Sequence, residues 1–123
     1  GRHVIGYEVQ KIQSAVAWLK KKDAESKIGV AGYGEGGLLA FYAAAVEPQI
    51  DAVLVSGYFT NRQNLWEEPI YRNVWGLLRE FGDAELASLI APRGLVLEHS
   101  ETPKVEGPPA IPKEDEEGRQ SAN

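Results

Sequence analysis

The sequence predicts an α/β protein: a partial parallel sheet of about three strands with flanking helices, followed by a disordered C-terminal tail. Three observations carry that expectation. Apolar segments follow one another in the order α-β-α-β-αα-β, which is the order of a parallel α/β sheet. Asp51 to Ser56 (DAVLVS) is continuously apolar with β-branched content, as expected of a strand buried on both faces. Lys27 to Val46 (KIGVAGYGEGGLLAFYAAAV) runs from a short strand through a glycine-crowded turn into an alanine-rich helix, and so builds a sharp corner.

The first helix is read from Ile5, Val9, Ile12, Val16 and Leu19, which make one apolar stripe and leave Glu8, Lys11 and Lys20 to Lys22 for solvent. The three lysines stand at its C-terminal end, where the helix dipole favours cations. The polar link Asp23 to Ser26 closes it. A strand over Lys27 to Ala31 follows, then the glycine turn, then a helix from about Gly36 to Val46. Glu47-Pro48 ends that helix, because the residue before proline avoids the α region. After the strand Asp51 to Ser56, Gly57 to Asn64 reads as loop. Ile70 to Phe81 and Asp83 to Ile90 read as two short helices, with Asp83 as N-cap. Pro92 precedes a third strand, Gly94 to Glu98.

From Glu101 to Asn123, prolines and an acid run predict an unfolded tail, so residues 1–100 form the expected domain and 101–123 the tail. That tail holds six acids and three bases, leaving only −2 of the net −5 on the rest of the chain. No basic footprint exists for nucleic acid or an anionic membrane. Neither an apolar run of about 18 residues nor a signal-peptide pattern is present. With no cysteine, neither disulfides nor thiolate metal sites form; no histidine or carboxylate cluster has metal spacing, so no cofactor or metal is expected. The chain opens on Gly1 in place of Met, and three strands make a small sheet. The expectation is a piece of a longer protein, whose remaining strands precede Gly1 and complete the sheet.

The glycine corner has two readings. Gly32, Gly34 and Gly37 spell G-x-G-x-x-G between a strand and a helix, the local context of a dinucleotide fingerprint. That fingerprint needs an acid at the C-terminal end of the next strand, whereas Asp51 stands at its beginning. A glutamate inside the turn would also repel a pyrophosphate. The alternative is the nucleophile elbow G-x-S-x-G, aligned as Gly32-Tyr33-Gly34-Glu35-Gly36 with glycine at the serine position.

On these residues the chain resembles α/β-hydrolases of the acetyl-xylan-esterase and dienelactone-hydrolase type. The run IGVAGYGEGGLLAFYAAAVEPQIDAVLVSGYF is similar to their elbow region, GRHVIGYEVQKIQSAVAWL to the helix before it, and IAPRGLVLEHS to the strand leading to the catalytic acid. The resemblance spans roughly residues 1 to 100. It implies a hydrolase-type sheet with helices on both faces, and hydrolysis of carboxylic esters through an acyl-enzyme. The implied partner of an active form is a small-molecule ester.

The chemistry needs a hydroxyl, a histidine to take its proton and an acid to orient that histidine. Gly34 marks a degenerate nucleophile position, and the N–H groups of Glu35 and Gly36 are the candidate oxyanion donors. A one-residue shift puts Glu35 at the apex as a carboxylate nucleophile. The plainer reading makes it a first-turn acid that stabilises the helix by ~0.3–1 kcal/mol. Glu98 and Glu101 fall near the acid slot. His3 precedes the first helix and His99 follows the third strand, so neither is placed as the base, and this chain is expected to be inactive. Glu67 and Glu68 read as solvated surface. Tyr58, Phe59, Trp66, Tyr71 and Trp75 could line a pocket, although packing is the commoner use of such aromatics. The contrasting expectation is a non-catalytic binding or structural module on the same scaffold.

Overall fold

A computed structural model describes residues 3–59 and 69–103. Helix α1 spans Val4–Lys22, strand β1 Gly29–Tyr33, helix α2 Glu35–Val46 and strand β2 Ala52–Ser56. A 3₁₀ turn, Ile70–Arg72, then precedes helix α3 (Leu77–Glu80), helix α4 (Asp83–Ser88) and strand β3 (Gly94–Glu98). The three strands are parallel in the order β1-β2-β3, with Ala31 opposite Leu54 and Leu54 opposite Val96. Among the described residues, no helix is long and apolar enough to cross a membrane.

α2 is apolar all round because both of its sides are covered: it packs on β1 and β2 and is itself overlaid by α1 and touched by α4. Phe41, Leu38, Ala40, Ala43 and Ala44 are buried there with Val53 and Val55 of β2. Burial of Leu38 and Phe41 contributes about 1.5–3 kcal/mol each. The stripe of α1 meets this core through Ile5, Val9, Ile12 and Val16, while Leu19, at its far end, is exposed. The His3 imidazole caps α1, its Nδ1 accepting from the Ile5 N–H at 3.2 Å.

Several bounds move for identifiable reasons. β1 begins at Gly29 because Ile28 is taken up by Asp51: the Asp51 carboxylate accepts from the Ile28 N–H at 2.8 Å, and the Asp51 N–H donates to the Ile28 carbonyl at 2.8 Å. The helix expected over Ile70 to Phe81 is instead a 3₁₀ turn and a single α turn, broken where Gly76 takes a left-handed conformation at φ 79°. α4 starts one residue past its cap, since Gly82 and not Asp83 is the N-cap, its N–H donating to the Glu85 carboxylate at 2.9 Å.

The described helices cover one face of the sheet. Val30, Val53, Val55 and Leu95 point toward them, whereas Ala31, Tyr33, Leu54 and Val96 of the other face are exposed. Helices on both faces were the expectation. Strand order explains the difference: the sheet grows in one direction, so two right-handed crossovers place both of their connections on the same side. Of the expected tail, 101–123, residues 104–123 lie outside the described residues, as do Trp66, Glu67 and Glu68. Glu101, Thr102 and Pro103, assigned to that tail, lie against the body.

Candidate functional site

The corner between β1 and α2 is formed by Gly34, at φ 58° and ψ −119°. This is the mirror image of the extended region, open to glycine and strained for any residue with a Cβ. Two bonds hold the bend: the Gly34 N–H donates to the Ser56 carbonyl at 2.9 Å, and the Gly34 carbonyl accepts from Leu38 at 3.2 Å. The flanking glycines divide by role. A Cβ on Gly32 would overlap the Gly36 carbonyl, and one on Gly37 would lie 2.9 Å from the Ser56 carbonyl oxygen, so both let helix and strand approach. Gly36 has nothing within 4 Å of where its Cβ would be.

Above the corner lies a cavity of about 140 Å³ lined by Gly34, Glu35, Leu38, Gly57, Tyr58, Arg72 and Thr102. Glu35 is the first residue of α2, and its carboxylate pairs with Arg72 at 3.7 Å. The Arg72 side chain is only 12% exposed, and its Nε is buried without a hydrogen-bond partner. Leu38 and Tyr58 supply apolar walls, Tyr58 being anchored edge-on to Tyr42. First-turn N–H groups of a helix have no intrahelical acceptor, so α2 presents the amides of Glu35 and Gly36 at this end. Among the described residues, the cavity therefore offers backbone donors, the Arg72 guanidinium and the Glu35 carboxylate, and no histidine.

The structure brings some of the expected residues together and separates others. Gly34 and Glu35 share the cavity, with Gly36 next in the helix; Glu98 does not line it. Glu98 ends β3 in register with Ser56, itself in register with Tyr33, so two strand spacings, roughly 10 Å, separate the ends of β3 and β1. Its side chain joins Ala31, Tyr33, Leu54, Ser56 and Ser100 along an open surface on the face away from the helices. His3 is engaged as a cap and His99 is exposed after β3. Asp51 stands at the amino end of β2, opposite the corner. Its carboxyl is held below the ordinary value, first by the Ile28 N–H and then by Lys27. Of the aromatics, Tyr58 lines the cavity and Phe59 packs against the core, while Tyr71 and Trp75 are exposed. Among the described residues, no group of three or more His, Asp or Glu side chains is arranged to hold a metal ion.

The family model described as the dienelactone hydrolase family matches residues 4–72, more than half of the chain. The chain belongs to the dienelactone hydrolase family. The matched stretch runs from α1 to the 3₁₀ turn, with the Gly34 corner near its middle and Arg72 as its last residue. No curated protein and no solved structure matches the chain. For a dienelactone-hydrolase-family chain, three neighbours of the corner left no mark in the sequence. Arg72 is a charged residue in an irregular stretch, with nothing local to tie it to Glu35. Thr102 and Pro103 sit in a segment whose composition signals a tail. The periodic elements were legible; contacts between position 34 and position 103 were not.

Proposed function

We propose that the Gly34 corner is the nucleophile elbow of an esterase-like hydrolase of the acetyl-xylan-esterase type, with glycine standing at the serine position, and that this chain does not turn over esters. The observation that supports the reading is the backbone of Gly34, a positive-φ apex between β1 and α2. An elbow lifts its central residue clear of the carboxyl edge of a sheet on a strained turn of this kind. The amides of Glu35 and Gly36 are the oxyanion donors in this reading, and Glu98 the candidate for the acid slot.

Three pieces of an acyl-transfer site are missing from the cavity. Gly34 has no hydroxyl to attack a carbonyl. The two histidines, His3 and His99, are placed elsewhere. Glu35, the cavity's carboxylate among the described residues, is paired with Arg72 at 3.7 Å and sits inside the helix rather than at the apex. Without a nucleophile and base, donors aimed at an oxyanion have no tetrahedral intermediate to stabilise. A longer parent protein would supply the remaining strands and, when active, take a small ester.

The test is hydrolysis of p-nitrophenyl acetate by the purified chain. The expected result is no stoichiometric burst of nitrophenolate; a burst equal to the protein concentration overturns the non-catalytic reading. In a full-length protein, Gly34→Ser with restored ester hydrolysis would support the elbow assignment. The contrasting reading, a binding module on the hydrolase scaffold, draws on the Arg72 guanidinium, whose buried Nε has no partner in the protein. It predicts a saturable change in tryptophan fluorescence with a small polar ligand that Arg72→Met abolishes.

A further inference from the structure

The chain does not leave the body after β3. Ser100 Oγ meets Ser56 Oγ at 2.8 Å, and the Tyr33 hydroxyl donates to the Glu101 carbonyl at 2.8 Å. Gly57, at φ 59°, lets the Tyr33 ring and Ser100 come together: a Cβ there would lie 2.6 Å from Tyr33 Cε2 and 3.0 Å from Ser100 Oγ. Thr102 then lines the cavity above the corner. Pro103 comes down on the apex itself. A Cβ built on Gly34 would fall 2.5 Å from Pro103 Cγ and 2.9 Å from Cδ. Real Cβ atoms do not approach ring carbons so closely, so the first atom of any nucleophilic side chain at position 34 competes with the pyrrolidine ring for one volume.

We propose that Ser100 to Pro103 forms a strap over the corner, in which Pro103 occupies the space of the missing nucleophile side chain and covers the apex. The proposal deepens the non-catalytic reading above and rests on it for the identity of position 34. Glycine at 34 and proline at 103 are a matched pair: the one provides the room and the other fills it. Among the described residues its polar tether is one serine pair and one tyrosine hydroxyl. While it is seated, the space beside it amounts to about 140 Å³. When it lifts, the amides of Glu35 and Gly36 face solvent together with the Arg72–Glu35 pair.

A thermal-unfolding cycle over Gly34→Ala and Pro103→Gly tests this. Backbone strain at φ 58° burdens Gly34→Ala in both backgrounds, whereas the steric conflict exists only with proline present. The expected drop in Tm on Gly34→Ala is at least twice as large with Pro103 as with glycine at 103; equal drops overturn the strap. A Gly34→Ala variant that fails to fold while the double variant folds gives the same support. Should neither fold, the wild-type protein decides by NMR. Nuclear Overhauser contacts between the Pro103 ring protons and the Gly34 α protons are expected, and their absence between assigned resonances overturns the proposal. Failure here is distinct from failure of the non-catalytic reading. An absent contact removes the strap and leaves Gly34 without a hydroxyl, whereas a stoichiometric burst removes the non-catalytic reading and leaves the contact in place.

Discussion

Replacing Gly32, Gly36 and Gly37 of the corner by alanine, one at a time, separates the different jobs that one short motif performs. Gly36 lies in the first turn of α2 with no atom within 4 Å of its Cβ position. Gly36→Ala therefore adds a methyl group to open space and removes backbone freedom from the unfolded chain, a gain of about 0.5–1 kcal/mol. Gly32→Ala has the opposite fate. Its methyl would fall inside the Gly36 carbonyl and against the Gly37 nitrogen, and both are backbone atoms that cannot rotate away. Relief requires moving α2 off β1, which exposes part of a core that includes Leu38 and Phe41. We expect a loss of about 3–5 kcal/mol, much of the total for a domain of this size. Gly37→Ala falls between them. Its methyl would press at 2.9 Å on the Ser56 carbonyl oxygen, the acceptor that holds the Gly34 N–H. Limited give there sets the loss at about 1–3 kcal/mol. Urea unfolding followed by far-UV circular dichroism gives all three values. A Gly32→Ala variant within about 0.5 kcal/mol of the wild type, against the cost of overpacking, or a Gly36→Ala loss above about 1 kcal/mol, against the open space at its Cβ position, would refute the reasoning.

Arg93 clasps the far end of α2, donating to the carbonyls of Ala44 at 2.7 Å, Glu47 at 2.9 Å, Ile50 at 3.0 Å and Leu89 at 3.0 Å. Arg93→Ala should lower stability by about 2–4 kcal/mol in urea titrations, and Arg93→Lys by roughly half as much, since an ammonium cannot reach four carbonyls in one plane. Asp51 and Asp23 are both held below their ordinary value, Asp23 first by the Ser26 hydroxyl and then by the Glu25 N–H. A carboxyl lowered by folding stabilises above its unfolded value of 3.8 and loses that contribution as pH falls through the folded value. The urea midpoint should therefore fall below about pH 4, less steeply in Asp51→Asn, and an unchanged slope in that variant would remove Asp51 from the account. Glu35→Gln should shift stability by less than about 1 kcal/mol, because the Arg72 pair is long and its carboxylate half-exposed; thermal melts at low and high salt check this.

Local pattern carried the fold further than it carried the site. The stripe from Ile5 to Val16, the apolar run of β2 and the glycine corner each leave a signature within a few residues, and each element lies where its signature put it. Leu19 extends the same periodicity past the end of the core, which no local pattern records. The 3₁₀ turn and α3 depart from the single helix expected over Ile70 to Phe81 because Gly76 adopts a left-handed conformation that the periodicity does not register. The site was legible only along the chain. Gly34 and Glu35 sit together because they are neighbours in sequence, whereas the Tyr33 hydroxyl reaches the carbonyl of Glu101 across the whole sheet. Arg72 meets Glu35 through a turn whose shape depends on the packing around it, and a charged residue in a loop announces no partner.

The central claim concerns what Gly34 lacks, and covalent labelling addresses it with one spectrum. Intact chain is incubated with a fluorophosphonate probe, which phosphonylates activated serines, and its mass is compared with that of an untreated sample. The account predicts an unshifted mass, since the apex of the corner carries no hydroxyl and its cavity no histidine. A mass raised by one phosphonyl group, mapped by peptide sequencing to a serine of this chain, would contradict it.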